Sequence, residues 1–234
     1  DATGLMPGVY KATIRIENDT PHGVITIPVT MTVPSDTFLL FDPNGNEQIP
    51  AGSQYKIRWN IPPDSDMVTF KIKYSLDKGV TWKTIGKHLT GSTLDWTLPT
   101  PTKDKKKCLV RVIGYNSKNK KVRSDASDRF FTVSVLTLNA PNGGEALSSG
   151  DPMTIQWSTR TVVPVDRTRL TYTTNGGTTW KLLATLSGDP GTYSTRVPIV
   201  RSVKTKCKVR VDLLGAGGIL VASDRSDSNF IIIP

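Results

Sequence analysis

The sequence predicts an all-β chain, two tandem antiparallel β-sandwiches preceded by a β-hairpin. Three observations predict it. The 234 residues repeat themselves at a spacing near 98. Apolar residues alternate with period two in segment after segment, the pattern of half-buried strands. Gly 19 and Pro 16 make up a share that suits a turn-rich β chain and is too low for a disordered one. No segment keeps a 3.6-residue apolar period for three turns, so no helix is expected.

The elements follow in chain order. Residues 1–34 form a hairpin. Tyr10, Ala12, Ile14 and Ile16 alternate with Lys11, Thr13, Arg15 and Glu17, and a turn follows at Asn18-Asp19-Thr20-Pro21. Ile25, Ile27, Val29, Met31 and Val33 then alternate with Thr26, Pro28, Thr30 and Thr32. An isolated hairpin is marginal in water. These are therefore expected to be the last two strands of a further sandwich whose earlier strands lie upstream. In residues 35–134, Phe38–Phe41 leads into a Pro-Asn-Gly turn. Tyr55, Ile57 and Trp59 share one face, and Phe70, Ile72 and Tyr74 share another. Strands are then expected at Trp82–Ile85, Thr93–Leu98, Cys108–Tyr115 and Phe130–Val135. About seven strands in roughly 100 residues is the density of an immunoglobulin-like or fibronectin-III-like sandwich.

Residues 135–234 repeat that layout. Asp42-Pro43-Asn44-Gly45 returns as Ala140-Pro141-Asn142-Gly143, Trp59 as Trp157 and Trp82 as Trp180, each 98 residues on. Pro99, Cys108 and Phe131 return as Pro198, Cys207 and Phe230, each 99 on. One residue is thus inserted in a loop between Trp180 and Pro198. Cys207, Val209 and Val211 alternate with Lys208, Arg210 and Asp212, which places the Cys face inside and the charged face in water. Leu109 and Ile113 interrupt the matching polar face in the first repeat and imply that it is partly covered. Trp59, Trp82, Trp157 and Trp180 are all expected in the cores, two per sandwich.

Two resemblances follow from these residues. Pro7-Gly8-Val9-Tyr10-Lys11-Ala12-Thr13-Ile14, Asn18-Asp19 and Ile27-Pro28-Val29-Thr30-Met31-Thr32-Val33 resemble the closing strands of immunoglobulin-like modules of the choice-of-anchor and spindle-associated-homology type, common in bacterial secreted proteins. The two full repeats resemble a second bacterial class. They carry Pro141-Asn142-Gly143-Gly144-Glu145, Ile155-Gln156-Trp157, Asn175-Gly176-Gly177-Thr178-Thr179-Trp180, Cys207-Lys208-Val209-Arg210-Val211 and Ser223-Asp224. The first repeat departs at Asn46, where the second has Gly144. A related pattern occurs in the N-terminal domain of the yeast cell-wall glucan-synthesis family. The resemblance implies a large extracellular protein with stalk, adhesion or scaffold roles, and no reaction.

Candidate chemistry is sparse. Ser75-Leu76-Asp77-Lys78-Gly79-Val80-Thr81-Trp82 fits the Asp-box of sialidase propellers, with Thr173–Trp180 a weaker copy carrying Asn175. Propeller blades recur every 40–50 residues or so, whereas these recur every 98. The Asp-box also works as a turn, in which Asp or Asn accepts backbone N–H groups and Gly permits a positive φ. Glycoside hydrolysis would need a carboxylate pair in a cleft, and no second carboxylate recurs near this turn in both repeats. Cys108 and Cys207 occupy equivalent inward places in separate sandwiches, which favours two buried thiols over a disulfide. His22 and His88 each stand alone, on expected surface positions. No Cys or His spacing suits a haem or a metal, and no cofactor is expected.

Charge offers the one functional hint. Of the formal net charge of +10, the first sandwich carries the largest share. Its basic residues cluster at Lys103, Lys105, Lys106 and Lys107, and again at Lys118, Lys120, Lys121 and Arg123. One strand of about 10 residues at roughly 3.3 Å each separates the clusters, so they belong at opposite ends of the sandwich. No aromatic residues interleave with them, which argues against nucleic acid. Attraction to anionic polysaccharide, lipid headgroups or an acidic partner fits better. Solubility and edge protection explain the same lysines equally well.

The expected function is a non-catalytic stalk, scaffold or adhesion segment of a larger secreted or surface protein. Two alternatives stay open. One is accessory modules of a secreted peptidase or glycosidase whose catalytic domain lies upstream. The other is a carbohydrate-binding module. The chain opens on no signal peptide and no Met, so its numbering is expected to start on a processed or excised piece. No run of apolar residues is long enough to span a membrane. The expected partners are other polypeptides of a surface or filament assembly, its own N-terminal part among them, and anionic polysaccharide. The hairpin residues Tyr10, Ile14, Ile16, Ile25, Ile27, Val29 and Met31 are the expected contact face, because a hairpin with open edges is a template for strand addition. The alternative is that residues 1–34 fold back on the first sandwich.

Overall fold

The computed structural model describes residues 8–17, 24–33 and 36–234. The turn at Asn18–Pro21, with His22, lies outside the described residues, as does Pro7. Strands β1 (Gly8–Ile16) and β2 (Ile25–Val33) pair antiparallel as a two-stranded sheet. Their register sets Tyr10 against Met31, Ala12 against Val29, Ile14 against Ile27 and Ile16 against Ile25. Period-two alternation on both strands therefore gathers these eight residues on one face. Residues 8–17 and 24–32 are all exposed, so among the described residues none covers that face.

The first repeat holds β3 (Leu40–Asp42), β4 (Gln48–Pro50), β5 (Gln54–Trp59), β6 (Thr69–Ser75), β7 (Lys83–Leu89), β8 (Thr93–Thr97), β9 (Lys105–Tyr115), β10 (Lys121–Ala126) and β11 (Phe131–Ser134). One sheet runs β3-β5-β8 and the other β4-β11-β9-β6-β7, with β10 also on β9. The second repeat holds β12 (Leu136–Ala140), β13 (Ala146–Ser148), β14 (Pro152–Thr159), β15 (Arg167–Thr173), β16 (Lys181–Ser187), β17 (Thr192–Arg196), β18 (Lys204–Leu214), β19 (Leu220–Arg225) and β20 (Phe230–Ile233). Its sheets run β12-β14-β17 and β13-β20-β18-β15-β16, with β19 on β18. The two topologies are the same. This is the all-β, immunoglobulin-like sandwich expected, with its first and last strands each broken in two. The sole helical element among the described residues is a 3₁₀ turn at Ala216–Gly218.

The break in the first strand has a local cause. At Pro-Asn-Gly the chain leaves one sheet and joins the other. Glu47 accepts the N–H groups of Asn44 (2.7 Å) and Gly45 (2.8 Å), and Glu145 does the same for Asn142 and Gly143 at 2.7 and 2.8 Å. Gly45 adopts φ +132°, and a Cβ there would lie 2.4 Å from Cβ of Arg129, so only glycine fits. The Ser-Asp motif near the last strand closes the clamp from the other side. Asp125 accepts the Leu40 N–H and Asp224 the Leu138 N–H, both at 2.7 Å. Ser127 and Ser226 donate to the carbonyls of Pro43 (2.7 Å) and Pro141 (2.8 Å).

Buried apolar residues of both repeats form one continuous cluster. Cys108, Val110 and Val112 are fully buried, as are Cys207, Val209 and Val211. Trp59 (2%) and Trp157 (4%) are core residues as expected, whereas Trp82 and Trp180 are only half-buried. Those two lie outside the cores. Each indole N–H donates to a carbonyl of its own turn, Gly79 at 2.8 Å and Gly177 at 3.1 Å, and a guanidinium covers a ring face: Arg111 at 4.2 Å from Trp82 and Arg210 at 4.6 Å from Trp180. The second core tryptophan of the first repeat is instead Trp96, packed against Tyr74 and Phe131.

Candidate functional site

The motifs that suggested chemistry hold turns. In the first Asp-box, Asp77 accepts the Thr81 backbone N–H at 2.8 Å and its hydroxyl, and the Ser75 hydroxyl at 2.7 Å. These bonds, led by the one from the Thr81 side chain, hold the Asp77 carboxyl at about 2, well below the usual aspartate value. Asn175 accepts the Thr179 N–H at 3.0 Å and donates to its hydroxyl at 2.8 Å. Leu109 packs beneath the first of these turns, near Gly79 and half-buried, which accounts for one of the two apolar interruptions on that strand. Cys108 and Cys207 are free thiols in the cores. Burial pushes Cys108 up to about 11 and raises Cys207 as well, so both stay protonated and inert at neutral pH. Among the described residues, no group of three or more His, Cys, Asp or Glu side chains stands close enough to hold a metal ion.

The junction between the repeats is more informative. β11 ends at Ser134, β12 begins at Leu136, and the single residue between them, Val135, is fully buried. Asp104 accepts the N–H groups of Val135 (2.7 Å) and Leu136 (3.4 Å). The Val135 carbonyl accepts N–H groups from Arg160 (2.8 Å) and Thr161 (3.1 Å). Two further backbone bonds cross the junction, Val162 N–H to the Ala51 carbonyl at 3.1 Å and Ser223 N–H to the Thr102 carbonyl at 2.8 Å.

This junction divides the first basic cluster. Lys105, Lys106 and Lys107 open β9 and join Lys78, across the strand, around a recess of about 430 Å³. Lys78 faces Lys107 closely enough to lower its proton affinity. Lys103 turns the other way. With Lys208, Arg210, Arg225 and Trp180 of the second repeat it lines a recess of about 320 Å³. The second cluster lies at the far end of β9 from the first. Lys118 and Lys120 sit exposed in the Asn116–Lys120 turn, Lys121 pairs opposite Tyr115, and the Arg123 guanidinium donates to the Asp36 carbonyl at 2.9 Å.

One expectation for the second repeat needs correcting. Asp212, placed in water by the alternation, is buried at 3% exposure. It accepts from the Arg169 guanidinium at 2.9 Å and the Ser223 hydroxyl at 2.7 Å, and its carboxylate lies 3.3 Å from the Arg210 Nε. Two arginines on neighbouring positions of the sheet enclose it, which alternation alone does not reveal. The same network holds Arg210 over Trp180. Sequence reading missed Lys78, Lys208, Arg210 and Arg225 as site residues. The available signal was the Arg within the Cys-x-Val-Arg-Val stretch of both repeats, but only strand register sets Arg210 beside Arg225.

No family model matches the chain, and no curated protein matches it. Solved structures do. The chain is similar to the fibronectin(III)-like modules of CbhA from Clostridium thermocellum at 13% identity, over 84% of this chain and 94% of that one, with a TM-score of 0.32. It is also similar to the FN1–FN3 domains of chicken CNTN1 at 13% identity, over 79% of this chain and 64% of that one, with a TM-score of 0.30. The chain thus spans under two thirds of the length of the second.

Proposed function

We propose that this chain is a non-catalytic scaffold or stalk segment of an extracellular or cell-surface protein, a stiff pair of sandwiches that carries a contact hairpin. The observation that supports it is the linkerless junction. A buried Val135 with both backbone groups bonded leaves the two repeats no free residue about which to swing. A spacer needs that stiffness, and an enzyme would not need it. The carboxylates that recur in both repeats, at Glu47 and Glu145 and at Asp125 and Asp224, are taken up by backbone N–H groups, which supports a structural rather than a catalytic use. Placement outside the cell rests on the motif resemblances.

The hairpin supplies the contact. Each repeat covers the apolar face of one sheet with a second sheet, and the apolar face of β1 and β2 takes a β-sheet of another polypeptide in the same way. Deleting residues 1–34 leaves the melting temperature of the remainder unchanged and abolishes assembly. Small-angle scattering tests the spacer. The parent gives one sharp maximum dimension, and inserting Gly-Ser-Gly between Ser134 and Val135 together with Asp104→Ala broadens it. A parent profile already as broad as that of the variant would sink the spacer reading.

A further inference from the structure

The recess at the junction combines features that neither repeat has alone. Lys103 is brought over the second repeat by the bond from Ser223 N–H to the Thr102 carbonyl, one residue before it. There it joins Lys208, Arg210 and Arg225. Arg210 is stacked on Trp180 and tied to Asp212. The Lys208 ammonium donates to the carbonyls of Ser226 (2.9 Å) and Asp227 (3.0 Å). The side chains of Lys103 and Arg225 are exposed and make neither a hydrogen bond nor an ion pair among the described residues. Two carboxylates also line the recess, each accepting from a neutral donor, Asp224 from the Leu138 N–H at 2.7 Å and Asp227 from the Asn142 side-chain amide at 3.1 Å, so four cationic side chains outnumber two carboxylates there.

Nor are these cations a demand of the fold. The first repeat, with the same topology, carries Leu109 and Ala126 at the places of Lys208 and Arg225. Lysines continue on the other side of the junction, where Lys78 and Lys107 face each other on a patch they share with Lys105 and Lys106 and with the carboxylates of Asp77 and Asp104.

We propose that the inter-repeat recess, with Lys103, Lys208, Arg210 and Arg225 around Trp180, binds an acidic polysaccharide through its carboxylate or sulfate groups. This rests on the scaffold reading and names the partner of that scaffold. The cations line a recess at a fixed junction and continue as lysines on the open surface beyond it, which suits a flexible chain that can enter the recess better than a flat lipid surface. Trp180 is half-buried with one face under Arg210, so it orients a guanidinium and offers no open stack of the kind single-stranded nucleic acid needs.

The test uses the full chain with polygalacturonate and dextran sulfate as probes, measured by titration calorimetry at low and high salt. The parent binds at least one polymer and loses affinity with salt, because exposed charges are screened beyond about 8 Å at physiological ionic strength. The double variant Lys103→Glu, Arg225→Glu binds about tenfold or more weakly, and Lys103→Gln, Arg225→Gln falls between. Both keep the parent's melting temperature and scattering profile, which separates loss of the site from failure of the spacer. Lys118→Glu, Lys120→Glu, at the far end of β9, binds like the parent. Failure of the parent to bind either polymer overturns the proposal, and so does undiminished binding by the glutamate variant. Tighter binding to phosphatidylglycerol vesicles or to polyglutamate than to both polymers overturns it as well.

Discussion

Thr37 and Val135 occupy the same place in the repeat, at the entry to each sandwich, and they are held differently. Val135 is fully buried, and the N–H groups of Arg160 and Thr161 grip its carbonyl. Thr37 is exposed. The residues matching Arg160 and Thr161 are Pro62 and Pro63, which have no N–H to give. The Asn60 side chain substitutes in part, donating to the Thr37 carbonyl at 2.7 Å and accepting from Leu39 N–H at 2.6 Å. One entry is gripped by two backbone N–H groups and the other by a side-chain amide. The tips of the same loops agree: Val162 and Val163 lean over Gly52 of the first repeat, whereas Asp64 and Ser65 are polar. Near-identical folds can thus hold their entering residues by different means, set by a handful of loop residues.

The cores differ too. The first repeat packs aromatics together, Phe38 stacked on Phe70, Trp59 tilted against Phe70 and Trp96 edge-on to Phe131. In the second repeat Trp157 and Phe230 keep the places of Trp59 and Phe131, while Phe38, Phe70 and Trp96 give way to Leu136, Thr168 and Thr195. Trp96→Ala is therefore expected to destabilise the first repeat by about 3–5 kcal/mol. Thr195→Ala should leave the second within about 0.5 kcal/mol. Denaturant midpoints measure both, and equal losses would erase the contrast. A smaller effect separates the two core tryptophans. The residue inserted in the second repeat makes room for Asp189, which accepts the Trp157 indole N–H at 2.6 Å, while the Trp59 indole N–H is buried without a partner. Asp189→Ala should cost about 1–3 kcal/mol, read from the unfolding of the second repeat. No change would mean that the insertion is incidental.

The smallest contrast is in acid. Asp77 has a folded-state value of about 2, below that of an unfolded aspartate. Its contribution is present above the unfolded value near 3.9 and is lost as the pH falls through about 2. Asn175 does not titrate. Amide exchange at Thr81 should accelerate across that window while exchange at Thr179 holds steady, and Asp77→Asn should abolish the difference.

Legibility followed the physics of each feature. Strands and inward faces were readable because a two-residue period has only two faces, and the repeat repeated them. The broken first and last strands were not, since β4 and β13 have three residues each, too few for a pattern. Trp82 and Trp180 looked like core because of their size, yet their indole N–H groups serve turns. Lys103 read as one of a run of lysines. A single backbone bond through Thr102 separates it from that run, and no local signal encodes a bond across a junction.

The order of strands also decides how the molecule meets tension. In each sandwich the entering strand lies parallel to the departing one, β4 beside β11 and β13 beside β20. A pull on the two ends slides such strands along each other. The bonds from Thr132 N–H to the Glu47 carbonyl (2.8 Å) and from Ala51 N–H to the Ser134 carbonyl (2.9 Å) are then loaded together, in shear, instead of peeling one after another. Ile231 and Ser149 repeat the arrangement at 2.8 and 2.7 Å. With no slack residue at Val135, load leaving one shear clamp enters the next at once. Survival under force is set by the unfolding barrier rather than by equilibrium stability, and these two short parallel ladders are the bonds that such a pull loads in shear.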